Sequence, residues 1–349
     1  MSRRDPFAHR LDVKAGRVEL IHGSGGKAMA QLIHQLFAAA FDNRFLAQGN
    51  DAALLEMPSG RVVMSTDSYV VSPMFFPGGD IGSLAVHGTL NDVAMVGARP
   101  HFLSAGFILE EGFPFADLER VVRSMAKAAL EAKVPIVTGD TKVVERGHGD
   151  GLYINTTGIG VVPVGVTAPS GDRARPGDAV LVSGSMGDHG VAILSQREGL
   201  SFETTIESDS AALHELVAEM VLVVPDIHVL RDPTRGGLAT TLNEIGHQSG
   251  VGFELEEAAI PVKQQVAAAC ELLGIDPLYV ANEGKLIAIC DPRDAEKLLA
   301  VMKRNPLGRE AAIIGRVVDD ENGFLELKTT FGGSRILEWL AGEQLPRIC

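Results

Sequence analysis

The residues in this sequence best suited to chemistry are carboxylates with small or polar neighbours. Asp51 follows Gly49-Asn50, Asp67 follows Ser65-Thr66, Asp92 follows Leu90-Asn91 and Asp140 follows Thr138-Gly139. Each closes a short apolar segment. No His or Cys accompanies them at ligand spacing, so the set suits a hard cation such as Mg2+, which takes oxygen ligands and bridges phosphates. Taken singly, such an aspartate is more often a cap or turn residue. Asp80, in Gly78-Gly79-Asp80-Ile81, fits the cap of the helix that follows.

Two glycine-rich turns offer anion sites. Gly23, Ser24, Gly25 and Gly26 stand between a short strand and a helix, where backbone N–H groups suit a phosphate. This is no P-loop, because Ile21 replaces the first glycine and Ala28 the magnesium-binding hydroxyl. Gly23-x-Gly25-x-x-Ala28 matches a dinucleotide fingerprint loosely, without its acidic partner. Phosphate loop and plain turn both stay open. The second turn, Asp232-Pro233-Thr234-Arg235-Gly236-Gly237, opens a helix. Thr141 and Lys142 add a hydroxyl and a cation beside Asp140, and Glu283 sits at an element edge in Asn282-Glu283-Gly284. A surface lysine and a turn carboxylate are the plainer readings of those two charges.

The elements that must hold these groups follow from periodicity. Apolar residues at Leu118, Val121, Val122, Met125 and Ala129 predict a helix over 114–132. Further helices are expected over 27–41, 81–96, 190–198, 213–223, 238–249, 266–273 and 295–303. Strands are expected over 17–21, 101–109, 134–138, 152–162, 179–183, 252–256, 286–290 and 312–318. Segments 52–57 and 61–65, around Pro58-Ser59-Gly60, read as a hairpin. Pro and Gly concentrate in 163–176, the best linker. The domains are therefore an arm at 1–16, an α/β unit at 17–163, an α+β unit at 164–330 and a tail at 331–349. In the tail, Ser334 is expected to cap a short helix. Residues 342–349 are expected to be extended, with a reach of roughly 23 Å. Thr89-Leu90-Asn91-Asp92 echoes Thr241-Leu242-Asn243-Glu244, too short a match to establish a repeat.

Composition narrows the function classes. The chain has 349 residues, 46% of them hydrophobic, and a formal net charge of −14. Its length suits two domains, and its charge argues against a nucleic-acid partner. No apolar stretch reaches the roughly 18 residues of a membrane span. Arg3-Arg4 lacks a following apolar region, so no export signal is read and the expected location is the cytoplasm. Three cysteines, Cys270, Cys290 and Cys349, make neither a disulfide framework nor a zinc site. Cys270 and Cys290 lie in apolar runs and read as buried hydrophobes, whereas Cys349 is the last residue.

Together these motifs resemble the superfamily of ATP-using enzymes that contains aminoimidazole ribotide synthetase, selenide water dikinase and thiamin-phosphate kinase. The ending Pro346-Arg347-Ile348-Cys349 is similar to that of the HypE-type hydrogenase maturation factors, the carbamoyl dehydratases. The resemblance spans residue 17 to the end. It implies an N-terminal sheet that closes a β-barrel across a homodimer, with ATP and Mg2+ near it. It places metal roles on Asp51, Asp67, Asp92 and Asp140 and phosphate closure on Gly23 to Gly26. It implies that Cys349 carries a carbamoyl group delivered by a HypF-type carbamoyltransferase, that ATP-dependent dehydration makes it a cyano group, and that a HypC–HypD complex receives the cyanide. Glu283 and Lys142 are expected to form the proton-handling pair, with Glu283 preferred over Lys142 as the base. The alternatives are a small-molecule kinase or synthetase of the superfamily, a non-catalytic ATP-binding scaffold, and a nucleotide-dependent oxidoreductase. Selenophosphate synthesis would call for a reactive Cys in the first glycine-rich segment, which has none.

Overall fold

The computed structural model describes residues 10–199, 206–340, 342 and 347–349. Most of the expected arm, and Pro346 in the tail, lie outside the described residues.

The first half opens with α1 (Gly26–Leu32), a π-helical turn (Ile33–Phe37) and α2 (Ala38–Ala40), which together occupy the helix expected over 27–41. Then come β1 (Arg61–Tyr69), the short pair β2 (Phe75–Phe76) and β3 (Gly79–Asp80), and α3 (Ile81–Met95). The Asp80 carboxylate accepts the Gly82 and Ser83 N–H groups, and Ser83 Oγ returns the contact to the Asp80 backbone, a reciprocal cap that fixes where α3 starts. After α3 run β4 (Arg99–Glu110), α4 (Phe115–Glu131), β5 (Ile136–Val144) and β6 (Leu152–Val162).

The strands form a sheet in the order β1-β6-β4-β5, parallel only between β4 and β5. One face is covered by the helices: Leu103, Ala105, Phe107 and Leu109 of β4 alternate inward against Leu118, Val122 and Met125 of α4. The other face is open, with Val62, Met64 and Ile108 at 62%, 69% and 46% exposure.

The second half comprises β7 (Ala179–Val182), α5 (Asp188–Arg197), α6 (His214–Val223), β8 (Val229–Arg231), α7 (Gly237–Ser249), β9 (Gly252–Glu256), α8 (Gln264–Leu273), β10 (Ile287–Cys290), α9 (Pro292–Arg304), β11 (Ala312–Val318), β12 (Leu325–Lys328) and β13 (Ser334–Ile336). Its sheet runs β13-β12-β9-β11-β7-β10-β8. Strands β7 and β10 are buried along their whole length because both faces are covered. Val180, Val182, Ile287 and Ile289 meet α7, while Leu181 and Ala288 meet α6 and α9.

Four local expectations change. Residues 52–57 form no strand; β1 takes its hydrogen bonds from β6 instead of from a hairpin neighbour. Arg17 makes only a single bridge, to Pro114. Strand β5 continues past Gly139-Asp140 to Val144 because β4 pairs with it through Glu110. The expected tail helix is absent: Ser334–Ile336 pair antiparallel with β12, and Leu337, 1% exposed, joins the second core. Pairing with the edge of an existing sheet and burial of Leu337 outweigh the propensity of one isolated helical turn.

Candidate active site

The two halves meet around Asn91 of α3. Its amide donates to the carbonyls of Ala211 and Glu283, at 3.0 and 3.1 Å, and its oxygen accepts the Leu213 N–H. One buried side chain thus joins three segments of the polypeptide. His87, one turn earlier, bonds Ser210 at 3.0 Å, and burial lowers its pKa to about 4.

Carboxylates gather at this seam. Asp67 lies on the helix-covered face of β1, and Asp92 of α3 accepts the Ser65 hydroxyl at 2.8 Å. From the other half come Asp232, just beyond β8, and Glu283, which is 3% exposed. Burial raises the Glu283 pKa well above its ordinary value, and repulsion from Asp232, Asp209, Asp67 and Asp92 adds to the shift. Burial, then Asp92, pushes Asp232 up to about 7. Burial also raises Asp92, against the Ser65 hydrogen bond and the nearby charges of Arg231 and Arg235.

The second glycine-rich turn is built for this approach. Gly236 and Gly237 have φ of 77° and 62°, and a Cβ on Gly237 would lie 2.6 Å from the Leu278 carbonyl. Asn282 clamps the neighbouring loop by donating to the Pro233 carbonyl at 3.0 Å. Asp209 supports Glu283 from behind. It accepts the Glu283 N–H at 3.0 Å and pairs with the half-buried Lys285 at 3.1 Å.

The raised acid at Asp232 has a stability consequence. Its unfolded form ionises near 3.8 and its folded form near 7, so the folding penalty is absent below pH 4, grows between these values and is complete above 7. Asp232→Asn is therefore expected to melt about 2–4 °C higher than wild type at pH 8, with the difference vanishing at pH 4. Differential scanning calorimetry at the two pH values checks this.

The remaining candidates lie elsewhere. Asp140 and Lys142 point to the exposed face of β5 and pair with each other at 2.6 Å, the lysine holding the Asp140 pKa down. Thr141, between them, faces inward and is buried. Asp51 is exposed in an irregular loop. Gly23 packs on β5, where a Cβ would come within 2.5 Å of the Val143 nitrogen. Gly25 and Gly26 have φ of 82° and 80° and open space beside them, and Ser24 Oγ bonds the Ile21 carbonyl. Next to this loop a pocket of about 120 Å3 opens between Ile33, Phe37 and Phe41 on one side and Phe107, Asp140 and Thr141 on the other. Among the described residues no three His, Cys, Asp or Glu side chains are placed to hold a metal on their own. The charge of Asp67 adds to the rise in the Asp92 pKa on the same side of the seam, and this pair fits the one or two carboxylates that Mg2+ takes when phosphates supply its other ligands.

The chain's end comes back to the same seam. Val70, directly after β1, donates to a main-chain carboxylate oxygen of Cys349 at 3.2 Å, and Ser72 donates to the Arg347 carbonyl at 3.1 Å. Ile348 is 3% exposed and packs in the first core, with Cys349 against it. Burial raises the pKa of Tyr69, next to Val70, and the charges of Asp67 and Glu283 add to the rise, so the strand end that receives the tail also borders the carboxylates. Asn91, Asp209, Lys285 and His189, which also contacts the tail, were not picked out as site residues from sequence.

Residues 49–162 match the model of the AIR synthase related protein N-terminal domain, and residues 175–328 that of the C-terminal domain. The carbamoyl dehydratase HypE of Cupriavidus necator is 68% identical over 344 residues, covering 98% of each chain. This chain belongs to the HypE carbamoyl dehydratase family. A crystal structure of the hydrogenase maturation protein HypE in complex with ATP superposes with a TM-score of 0.91 at 59% identity, covering 95% of this chain and 99% of that one. A HypE–HypF complex superposes at 0.78 with 51% identity, covering 88% and 99%. The two-domain α/β arrangement described above is thus the HypE fold.

Proposed function

We propose that this HypE-family enzyme dehydrates a carbamoyl group carried on the sulfur of its own Cys349, using ATP, to give the S-cyano group that becomes a cyanide ligand of the hydrogenase iron centre. The observation that carries the reading is the docked C-terminus, whose Cys349 is held by Val70 directly after β1, the strand that also bears Asp67. The ATP complex of the 59% identical relative supports a nucleotide site in this chain.

The net change removes one oxygen and two hydrogens from S–CO–NH2. ATP with Mg2+ supplies the phosphoryl group that makes the carbamoyl oxygen a leaving group. The chain must hold the thioester-like carbon still, exclude water and accept protons from nitrogen. Glu283 is the proposed base. Its raised pKa makes it a strong proton acceptor once ionised, and relief of the repulsion from Asp67 and Asp92 brings it toward that state. Lys142 is the second proton-handling group in this reading, on the face of the first sheet that a partner would cover. Asp67 and Asp92 would hold the cation on one side, Asp140 and Asp51 on the other, and Gly23, Ser24, Gly25, Gly26 and Thr141 would close over phosphates. Asp232, Arg235, Gly236 and Gly237 would meet the tail or a second anion.

The open face of the first sheet, with Val62, Met64 and Ile108 exposed, supports a homodimer in which two sheets close a barrel. The HypE–HypF complex supports HypF as carbamoyl donor, with a HypC–HypD complex as acceptor. Among the described residues no helix is long and apolar enough to cross a membrane, and a cytoplasmic site of action is proposed.

The test is intact-mass analysis after incubation with the carbamoyltransferase, carbamoyl phosphate and ATP, then with ATP alone. Wild type is expected to gain one carbamoyl group and then lose one water, and Cys349→Ala to gain nothing. An adduct that survives Cys349→Ala removes the reading and favours a small-molecule ATP-dependent enzyme.

A further inference from the structure

The last three residues are held by the buried Ile348 side chain, by the Arg347 side chain, which donates to the Val70 carbonyl at 3.0 Å and pairs with Asp150, and by their main-chain oxygens. Ser72 N–H and Arg197 Nη2 donate to the Arg347 carbonyl, the latter at 3.0 Å. Arg197 also donates to the Ser72 carbonyl at 2.6 Å, tying the two segments together. Val70 N–H donates to a main-chain carboxylate oxygen of Cys349. Between them, His189 Nε2 lies 2.8 Å from the Ile348 carbonyl. A carbonyl only accepts, so Nε2 carries the proton and Nδ1 accepts the Ser208 hydroxyl at 2.7 Å. Burial lowers the His189 pKa and keeps the ring neutral in this arrangement. The ring is fully buried and meets Phe76 edge-on at 5.6 Å.

We propose that His189 is the positioning residue of the docked tail, holding the Ile348 carbonyl while Arg197 holds the carbonyl before it, so that Cys349 is fixed against the segment that follows β1. The two residues come from opposite ends of α5, a helix whose inner face is locked in the core by Val191 and Ile193. Rigid donors set in a rigid helix give the tail one address. Because the grip is on backbone atoms, it does not depend on what the sulfur carries. The same latch therefore accepts the tail before and after the chemistry, and release requires these carbonyls to find other donors together. Leaving a buried carbonyl without its donor costs more than the hydrogen bond contributes, so loss of His189 Nε2–H is expected to open the tail and not merely to loosen it.

This inference rests on the reading of Cys349 as substrate carrier, but its test does not use turnover. Cys349 alkylation by iodoacetamide is followed on the full-length protein through the C-terminal peptide, with the buried Cys270 and Cys290 as internal controls for unfolding. His189→Phe, which keeps the packing on Phe76 but has no donor, is expected to alkylate about tenfold faster at Cys349. His189→Gln, with an amide donor, is expected to return most of the protection. In an Ile348→Ala background, where the tail is already loosened, His189→Phe is expected to add little. Arg197→Met provides the same comparison if His189→Phe exposes Cys270 and Cys290. Rates within twofold of wild type in both variants would overturn the proposal. So would effects of His189→Phe and Ile348→Ala that multiply as independent changes, since His189 would then act somewhere other than on the tail. If alkylation behaves as expected while no carbamoyl adduct forms, the latch stands and the proposed activity fails.

Discussion

Glu283→Gln is expected to slow ATP-driven loss of water from S-carbamoyl-Cys349 by about a hundred- to ten-thousand-fold, while transfer of the carbamoyl group onto Cys349 proceeds normally. The carboxylate is 3% exposed and surrounded by four other acids, so it has little solvent competing for its protons. Glutamine keeps the shape and removes the proton acceptor. The same variant is expected to be more stable than wild type at pH 8. Burial raises the folded-state pKa of Glu283, so wild type loses stability as pH climbs above the ordinary glutamate range, and that loss disappears with the ionisable group. At pH 4 the two proteins are expected to melt together. Opposite signs for activity and stability at pH 8 separate a catalytic role from a structural one. Single-turnover mass analysis and calorimetry read the two effects. Dehydration within tenfold of wild type would move the base elsewhere, with Lys142 the next residue to test.

Much of the frame was legible because it is local. The period of Leu118, Val121, Val122 and Met125 marked α4, and Asp80 marked the start of α3. Asp67, Asp92, Asp232 and Glu283 were each singled out by their neighbours in sequence, and the structure brings these four into one electrostatic cluster. Their separation from Asp140 and Lys142 was not legible. It depends on β5 running on to Val144, which puts Asp140 and Lys142 on the face away from the helices. Asp209 and His189 carry no local signal, since each matters through a partner far away in sequence, Glu283 and Ile348 respectively. The tail illustrates the same limit. Ser334 with Ile336 and Leu337 fits a capped helix by pattern, yet β12 offers an unpaired edge that claims the segment as a strand. Local propensity is a weak prior wherever a sheet edge and an apolar pocket stand within reach.

The tail's anchor gives the second large effect. Ile348→Ala is expected to weaken docking of the C-terminus by about 2–4 kcal/mol, because the side chain is almost wholly buried in the first core. In the proposed reaction dehydration takes place with the tail docked, so its single-turnover rate is expected to fall roughly thirty- to several-hundred-fold as the docked population falls. Carbamoylation requires the same sulfur to reach a different protein. Undocking is a cost on that path, so carbamoylation is expected to stay equal or become faster. Changes of opposite sense in two reactions of one thiol cannot come from damage to the thiol itself. Equal losses in both would instead make Ile348 a recognition residue for the carbamoyltransferase. No change in either would mean that the docked arrangement is not the one in which water is removed. The two rates, measured on one protein by mass, therefore decide whether a buried isoleucine next to the terminal cysteine sets the balance between receiving the group and transforming it.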